Sequence, residues 1–143
     1  MKKRVVVFGI FDGVHEGHRD FFQQALRQAQ GKQKKGESEL VVIVGRDSIA
    51  LKIKNKKPRS SEKERIQMVA KEPLVSKAVL GDKELSSYKI LEELDPDIIC
   101  LGYDQQVLRE DLNHWIKTQR KDMKIVILKP YHSEIYHSSF SRH

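Results

Sequence analysis

A chain of 143 residues has room for one domain with a proper core and not for two, so residues 1–143 read as a single domain. With 33% charged and 38% hydrophobic residues it is ordinary for a soluble protein; no apolar run approaches the ~20 residues of a bilayer span, and the stretch after the basic start MKKR is too short for a signal peptide. The lone Cys100 can close no disulfide within the chain, which points to a reducing cytoplasm, and the formal net charge of +7 favours anionic partners: nucleic acid, an acidic membrane face or polyphosphate.

In chain order, Val5–Phe8 reads as a buried strand, and a helix follows from about Gly17 to Gln30. Leu40–Val44, "LVVIV", is a second strand with the uninterrupted apolar character of burial on both faces. Leu51–Ser61, "LKIKNKKPRSS", is basic and broken by Pro58, and reads as a mobile loop within the domain. Ser61 and Glu64 have the spacing of a capping box, which opens a helix running to about Lys71. A short strand is expected at Ala78–Leu80. A helix near Tyr88–Leu94 follows, with Ile90, Leu91 and Leu94 on one face. Asp97–Leu101 is the fourth strand, in which Cys100 reads as a core residue. Leu108, Leu112, Trp115 and Ile116 mark the buried stripe of a last long helix, and "KIVILKP" is a fifth strand stopped by Pro130. Strands and helices in alternation predict an α/β fold: a Rossmann-like, doubly wound, five-stranded parallel sheet with helices on both faces.

Chemistry concentrates where the first strand turns into a helix, in "FGIFDGVHEGH". Open parallel sheets bind ligands at the carboxyl ends of their strands, near the point where strand order reverses. A helix starting there presents unpaired N–H groups and the positive end of its dipole to an anion. Gly9, Gly13 and Gly17 allow close approach of backbone to a ligand. His15 and His18 are three residues apart in a first helical turn, share a face, and point together into the expected anion site. Two unconnected surface histidines are the plainer reading; the flanking glycines and the position after the first strand favour the site.

The stretch "GIFDGVHEGH" resembles the G-x-F-D-x-x-H-x-G-H pattern of the cytidylyltransferase-like nucleotidyltransferases, and the likeness runs along nearly the whole chain. "GRDSIALKIKNKKPRSSEKER" is similar to that family's second-strand exit, lysine-bearing loop and helix start. "PDIICLGYDQ" is similar to its fourth strand and nucleotide-contacting loop, and "HSSFSR" to its phosphate-touching helix start. Among small members, "GRDS" and "GYDQ" look more like the archaeal FAD synthetase branch than like glycerol-3-phosphate cytidylyltransferase. Two departures stand out. Ile10 replaces the usual Thr or Asn, so only its backbone N–H remains for a ligand, and the arginine of the cytidylyltransferase "RTEGIST" has no counterpart in "KPYHSEIYHSS".

The resemblance implies transfer of a nucleoside monophosphate from a nucleoside triphosphate to a phosphorylated acceptor, with release of pyrophosphate. FMN with ATP is the expected pair, and glycerol 3-phosphate with CTP the alternative. In that reading His15 stabilises charge at the α-phosphate and His18 on the leaving side. Lys52 and Lys54, alternate residues of an extended segment sharing one side, close over phosphate. Gly9, Ile10, Phe11, Gly17, Arg65, Gly102, Tyr103, Asp104, Gln105, Ser138 and Ser139 touch the nucleotide, and Asp12 helps hold Mg²⁺. Each has a plainer alternative. Asp12 closes a local turn, Arg65 pairs with Glu62, residues 102–105 form an ordinary strand-to-helix turn, the serines only cap a helix, and Tyr131 and Tyr136 cover a core edge rather than stack on an aromatic substrate. The chain ends just past Arg142, so a final helix would be short. A homodimer is expected, because 143 residues leave little wall for a large acceptor. Membrane insertion is not expected. Nucleic acid is not the expected partner, since zinc-finger spacing and an RNP-like aromatic strand are both missing from the sequence. A nucleotide-binding protein without turnover is the alternative of another class.

Overall fold

Five apolar runs become five parallel strands. The structure is a computed structural model that describes residues 3–30, 38–119 and 121–131. Strands β1 (Lys3–Gly9), β2 (Ser38–Val44), β3 (Lys77–Leu80), β4 (Ile98–Leu101) and β5 (Lys124–Ile127) form one sheet in the order β3-β2-β1-β4-β5. All four neighbouring pairs are parallel; Val5 faces Leu40 on one side and Ile98 on the other. Chain order reverses direction between β1 and β4, which makes their carboxyl ends the crevice of a doubly wound sheet.

Both faces are covered. Val5, Val7, Leu40, Val42 and Val44 pack under helix α1 (Glu16–Gln30), through Phe22, Ala25 and Ala29, and under α3 (Glu62–Ala70), through Val69. Val6, Val41, Ile43, Ile99 and Leu101 pack under α4 (Lys89–Leu94) and α5 (Gln106–Gln119), through Leu91, Leu94, Leu112 and Trp115. Successive strand residues point to opposite faces, so the stretch of a strand buried on both must be apolar at every position, as Val5–Val7 of β1 and Leu40–Val44 of β2 are. Helices on one face for β1→β2→β3 and on the other for β4→β5 is the arrangement that right-handed crossovers produce on the two sides of a switch point. Cys100 lies wholly buried in β4, where burial pushes its thiol up to about 12; it is the core residue expected, not a nucleophile. Among the described residues no helix is long and apolar enough to cross a membrane.

The capping box forms: Ser61 Oγ accepts from the Glu64 N–H at 3.2 Å, and Glu64 Oε1 accepts from the Ser61 N–H at 3.1 Å. One expectation fails. The segment read as a mobile loop from Leu51 begins instead inside a helix, α2 (Asp47–Lys54), with Ala50 fully buried beneath it. "DSIALKIK" carries four apolar residues, Ile49, Ala50, Leu51 and Ile53, and the spacing of Ile49, Ala50 and Ile53 is helical, which the interspersed lysines obscure. Asn55, in the left-handed region at φ 53°, ends it. Lys52 and Lys54 are therefore not neighbours on an extended segment. Two residues apart on a helix, they lie about 200° around its axis from each other.

Candidate functional site

The turn between β1 and α1 is built around a ring folded backwards. Phe11 takes φ 56°, rare for a side chain of its size, and buries its ring 5.6 Å from that of Phe22. The ring lies over Gly9, where any Cβ would come within 2.5 Å of it; that fixes glycine there for packing reasons alone. Phe11 also meets the His18 ring edge-on at 5.2 Å. Expected among the residues that touch the nucleotide, Phe11 sets its side chain as the floor on which His18 rests.

His15 and His18 come together as the sequence implied, with ring centroids 4.0 Å apart and planes inclined by 31°. The Gly17 N–H donates to His15 Nδ1 at 3.1 Å, and the His15 N–H donates to His18 Nδ1 at 3.3 Å. Both Nδ1 atoms accept, so in the neutral rings both protons sit on Nε2, which makes two donors of the same kind. A side chain at position 17 would meet His15 Cε1 at 2.9 Å, so Gly17 gives the ring room to fold over the helix start. Burial first, and the neighbouring His15 second, push His18 down to about 4, with Glu72 opposing weakly. In the free protein at neutral pH His18 is an uncharged donor.

Asp12, expected at a metal, uses both carboxylate oxygens on backbone: Oδ2 accepts from the Arg59 N–H at 2.7 Å and Oδ1 from the Ser60 N–H at 2.9 Å. These bonds are the main reason its pKa lies below the usual value. The turn it makes is not local. It ties the histidine turn to the start of α3, across a gap of 47 residues in sequence.

Arg65 departs most from its expected place. It is the one charged residue among those described that is buried, at 0% exposure, so it does not reach into the crevice to meet phosphate, nor does it pair with Glu62. Its Nε donates to Ser60 O at 3.1 Å, its Nη1 to Ile10 O at 2.6 Å and Gly45 O at 2.7 Å, and its Nη2 to Asp47 Oδ1 at 2.6 Å. One guanidinium thus joins the exits of β1 and β2 to the starts of α2 and α3. Arg65 is the main reason the Asp47 carboxyl lies below its usual range. The two helix starts also cap each other: the Asp47 N–H donates to Glu62 Oε1 at 2.9 Å, and the Glu62 N–H to Asp47 Oδ2 at 3.3 Å. Sequence reasoning assigned Asp47, Gly45 and Glu62 no role in the site. The Asp in "GRDS" and the Glu after the capping serine were the only local signals, and neither says that the two meet.

At the mouth of β4, Gly102 lies at the exit, Tyr103 is half exposed and Asp104 is exposed. The Gln105 side-chain amide is engaged at both ends, its oxygen accepting from the Gly102 N–H and its nitrogen donating to Phe8 O. Ile10 gives its carbonyl to Arg65 and sets its side chain against Gly45. Lys52 is exposed on α2. Ser138, Ser139 and Tyr136 lie outside the described residues, and so does the side chain of Lys54.

A site of this kind, two imidazole donors and a helix start at the switch point of a parallel sheet, suits a polyanion whose charge shifts during reaction. Comparison with known proteins agrees with it. The family model described as cytidylyltransferase-like matches residues 6–141. The chain is 37% identical over 128 residues to the FAD synthase of Aciduliprofundum boonei, covering 90% of this chain and 79% of that one. It is 34% identical over 139 residues to the FAD synthase of Thermoplasma acidophilum, covering 97% and 91%. Among solved structures, the lipopolysaccharide core biosynthesis protein from Thermoplasma volcanium superposes with a TM-score of 0.78 at 32% identity, covering 90% of this chain and 98% of that one.

Proposed function

The chain belongs to the cytidylyltransferase-like family, and from that premise we propose that it is an FMN adenylyltransferase: it moves the adenylyl group of ATP to FMN, forming FAD and releasing pyrophosphate. The observation that carries the reading is the stacked histidine pair, with both Nε2 donors set beside the start of α1. The names of the curated relatives favour FMN over glycerol 3-phosphate as acceptor.

A phosphate oxygen of FMN attacks the α-phosphorus of ATP, and the bond to the β-phosphate oxygen breaks as the new one forms. Little covalent help is needed; positioning and neutralisation of charge carry the rate. His15 donates to the α-phosphate, whose oxygens gain charge in the transition state. His18 donates to the leaving pyrophosphate. An uncharged His18 in the free protein gains a proton more easily once the polyanion is beside it, which strengthens its bond as the leaving group develops charge. The α1 dipole adds a fixed field in the same direction. Lys52 or Lys54 reaches phosphate from α2.

Mg²⁺ fits this site only in company with substrate. Among the described residues no three metal-binding side chains converge, while Asp12 is a hard oxygen ligand kept ionised by its two backbone donors. That suits an ion which keeps its waters and binds through one carboxylate plus substrate phosphates. Asp12 would hold it, and the ion would offset triphosphate charge. One domain spanning residues 1–143, working as a homodimer in the cytoplasm, completes the proposal.

The test is chromatographic. With Mg²⁺, FMN and ATP the protein is expected to form FAD and pyrophosphate; CDP-glycerol from CTP and glycerol 3-phosphate, with no flavin dinucleotide, would overturn the assignment of substrates. Binding of ATP without any product would return the protein to the non-catalytic class.

A further inference from the structure

Parallel ladders follow a simple rule: a carbonyl accepts from the N–H one residue beyond its partner on the next strand. On its β2 side β1 obeys this to its last residue, since Gly9 pairs with Val44 and Gly9 O accepts from the Gly45 N–H at 2.9 Å. On its β4 side the pairing stops two residues earlier, at Val7 opposite Cys100. One more step of that register would bring the Gly102 N–H to Phe8 O. Instead, the Gly102 N–H donates to Gln105 Oε1 at 2.8 Å, and Gln105 Nε2 donates to Phe8 O at 3.1 Å.

A primary amide therefore stands in the ladder between the two strands, replacing one direct bond with two. The turn that delivers it is closed by the Gln105 N–H on Gly102 O at 3.1 Å. A Cβ at Gly102 would sit 3.6 Å from Oε1 and only 2.9 Å from Asp104 Oδ1, so a glycine there leaves the turn room to fold back. The insertion falls at the switch point, where β1 and β4 must part to leave a crevice.

We propose that Gln105 is a positioning residue: its amide is a spacer of fixed length that holds the β1 and β4 exits apart and so sets the width of the nucleotide crevice. It reaches the reaction through Phe8 and Gly102, not by touching the base. The inference rests on the adenylyltransferase reading for the identity of what enters the crevice, but the spacer itself is a property of the free protein. Without it, Phe8 O and the Gly102 N–H are free to pair directly and narrow the mouth.

Two substitutions test it. Gln105→Glu keeps the length and the acceptor for Gly102 but sets a carboxylate oxygen against Phe8 O; Gln105→Leu keeps the bulk and removes both bonds. At neutral pH each is expected to lower kcat/KM for ATP by about 100-fold, the scale of a misplacement near 1 Å. As pH falls into the range where the new carboxyl is protonated, Gln105→Glu regains an O–H donor and should recover relative to wild type measured alongside, whereas Gln105→Leu should not. In the absence of ligands the Gly102 amide should exchange slowly in wild type. In Gln105→Leu it either exchanges fast or stays protected through a new bond to Phe8 O visible in the chemical shifts of both residues. Rates within about threefold of wild type in both variants, matching pH profiles for the two, or a fast-exchanging Gly102 amide in wild type would each overturn the proposal. If wild type makes no FAD, it is the assignment of the reaction that fails, and the exchange measurement still decides the spacer.

Discussion

Two segments leave neighbouring central strands at the same end of the sheet, and they are built on opposite plans. From Gly9 to Gly17, after β1, the turn is tied at point after point: Gly9 O on Gly45, Ile10 O on Arg65, Asp12 on two amides, and the Nδ1 atoms of His15 and of nearby His18 on backbone N–H groups. From Arg46 to Pro58, after β2, the side-chain bonds among the described residues gather at the root, Arg46 to Gly81 O and Asp47 to Arg65 and Glu62, with Ala50 buried just beyond. Beyond it Leu51 and Ile53 stand 49% and 61% exposed, and the lysines follow. The first segment is preorganised, as donors for charge that develops in a transition state must be. The second is of the kind that moves to meet a ligand. The likeness to nucleotidyltransferases therefore divides into a rigid chemical half and an adaptable binding half, and Arg65 is the joint between them.

The joint is the place to break the contrast most severely. Arg65→Met should cost about 3–5 kcal/mol of stability, the range for removing one partner of a buried pair, because three carbonyls and Asp47 lose their donor together. Urea unfolding at fixed pH measures it, and a loss under 1 kcal/mol would show that the exits of β1 and β2 hold themselves. Arg65→Lys should restore only part, since a single ammonium cannot span the four acceptors.

Within the rigid half, His18→Ala should reduce turnover by ~10²–10³, as removal of one preorganised donor does, with little change in melting temperature because the ring is not a core residue. A rate equal to wild type would remove His18 from the reaction. The same side chain gives the smaller effect of pH on stability. Folding holds His18 near 4, below the ~6.5 of an unfolded histidine, so between these values the unfolded chain binds more protons than the folded one. Its stabilising contribution is complete above about pH 6.5, declines as pH falls, and levels off near 4. His18→Gln should flatten that part of the urea-midpoint curve; an unchanged slope would mean the ring is not desolvated in solution.

These contrasts also mark what the sequence could tell. The strands were legible because burial on both faces demands unbroken apolar runs, and the capping box and histidine pair because their partners lie three residues away. Arg65, Asp12 and Gln105 each also hold a backbone group far away in sequence, Ile10 O for Arg65, the Arg59 N–H for Asp12 and Phe8 O for Gln105, and no local spacing records such a partner. Phe11 was legible as a site residue but not as a floor, since only the fold shows its ring turned back over Gly9. Helix α2 escaped because its lysines drew attention from the short apolar pattern of Ile49, Ala50 and Ile53.

The smallest expected effect asks whether α2 remains a helix when it works. As it stands, Lys52 and Lys54 lie on opposite sides of that helix, so one of them at most can face the phosphates. Replacing that one by Ala should raise KM for ATP by about tenfold, the scale of a charge-assisted contact to phosphate, and leave kcat nearly unchanged. The other single variant should be close to wild type, and the double variant no worse than the weaker single one. Uncoiling changes the arithmetic. In an extended strand alternate residues share a side, both lysines reach the triphosphate, and the two losses multiply. A double variant near 100-fold in KM would thus show that ATP binding melts α2 beyond its root at Asp47, and hydrogen exchange across Ile49–Ile53 would then quicken rather than slow when ATP is added. A double variant near tenfold keeps α2 a helix that swings about a fixed root, and the adaptable half moves as a body.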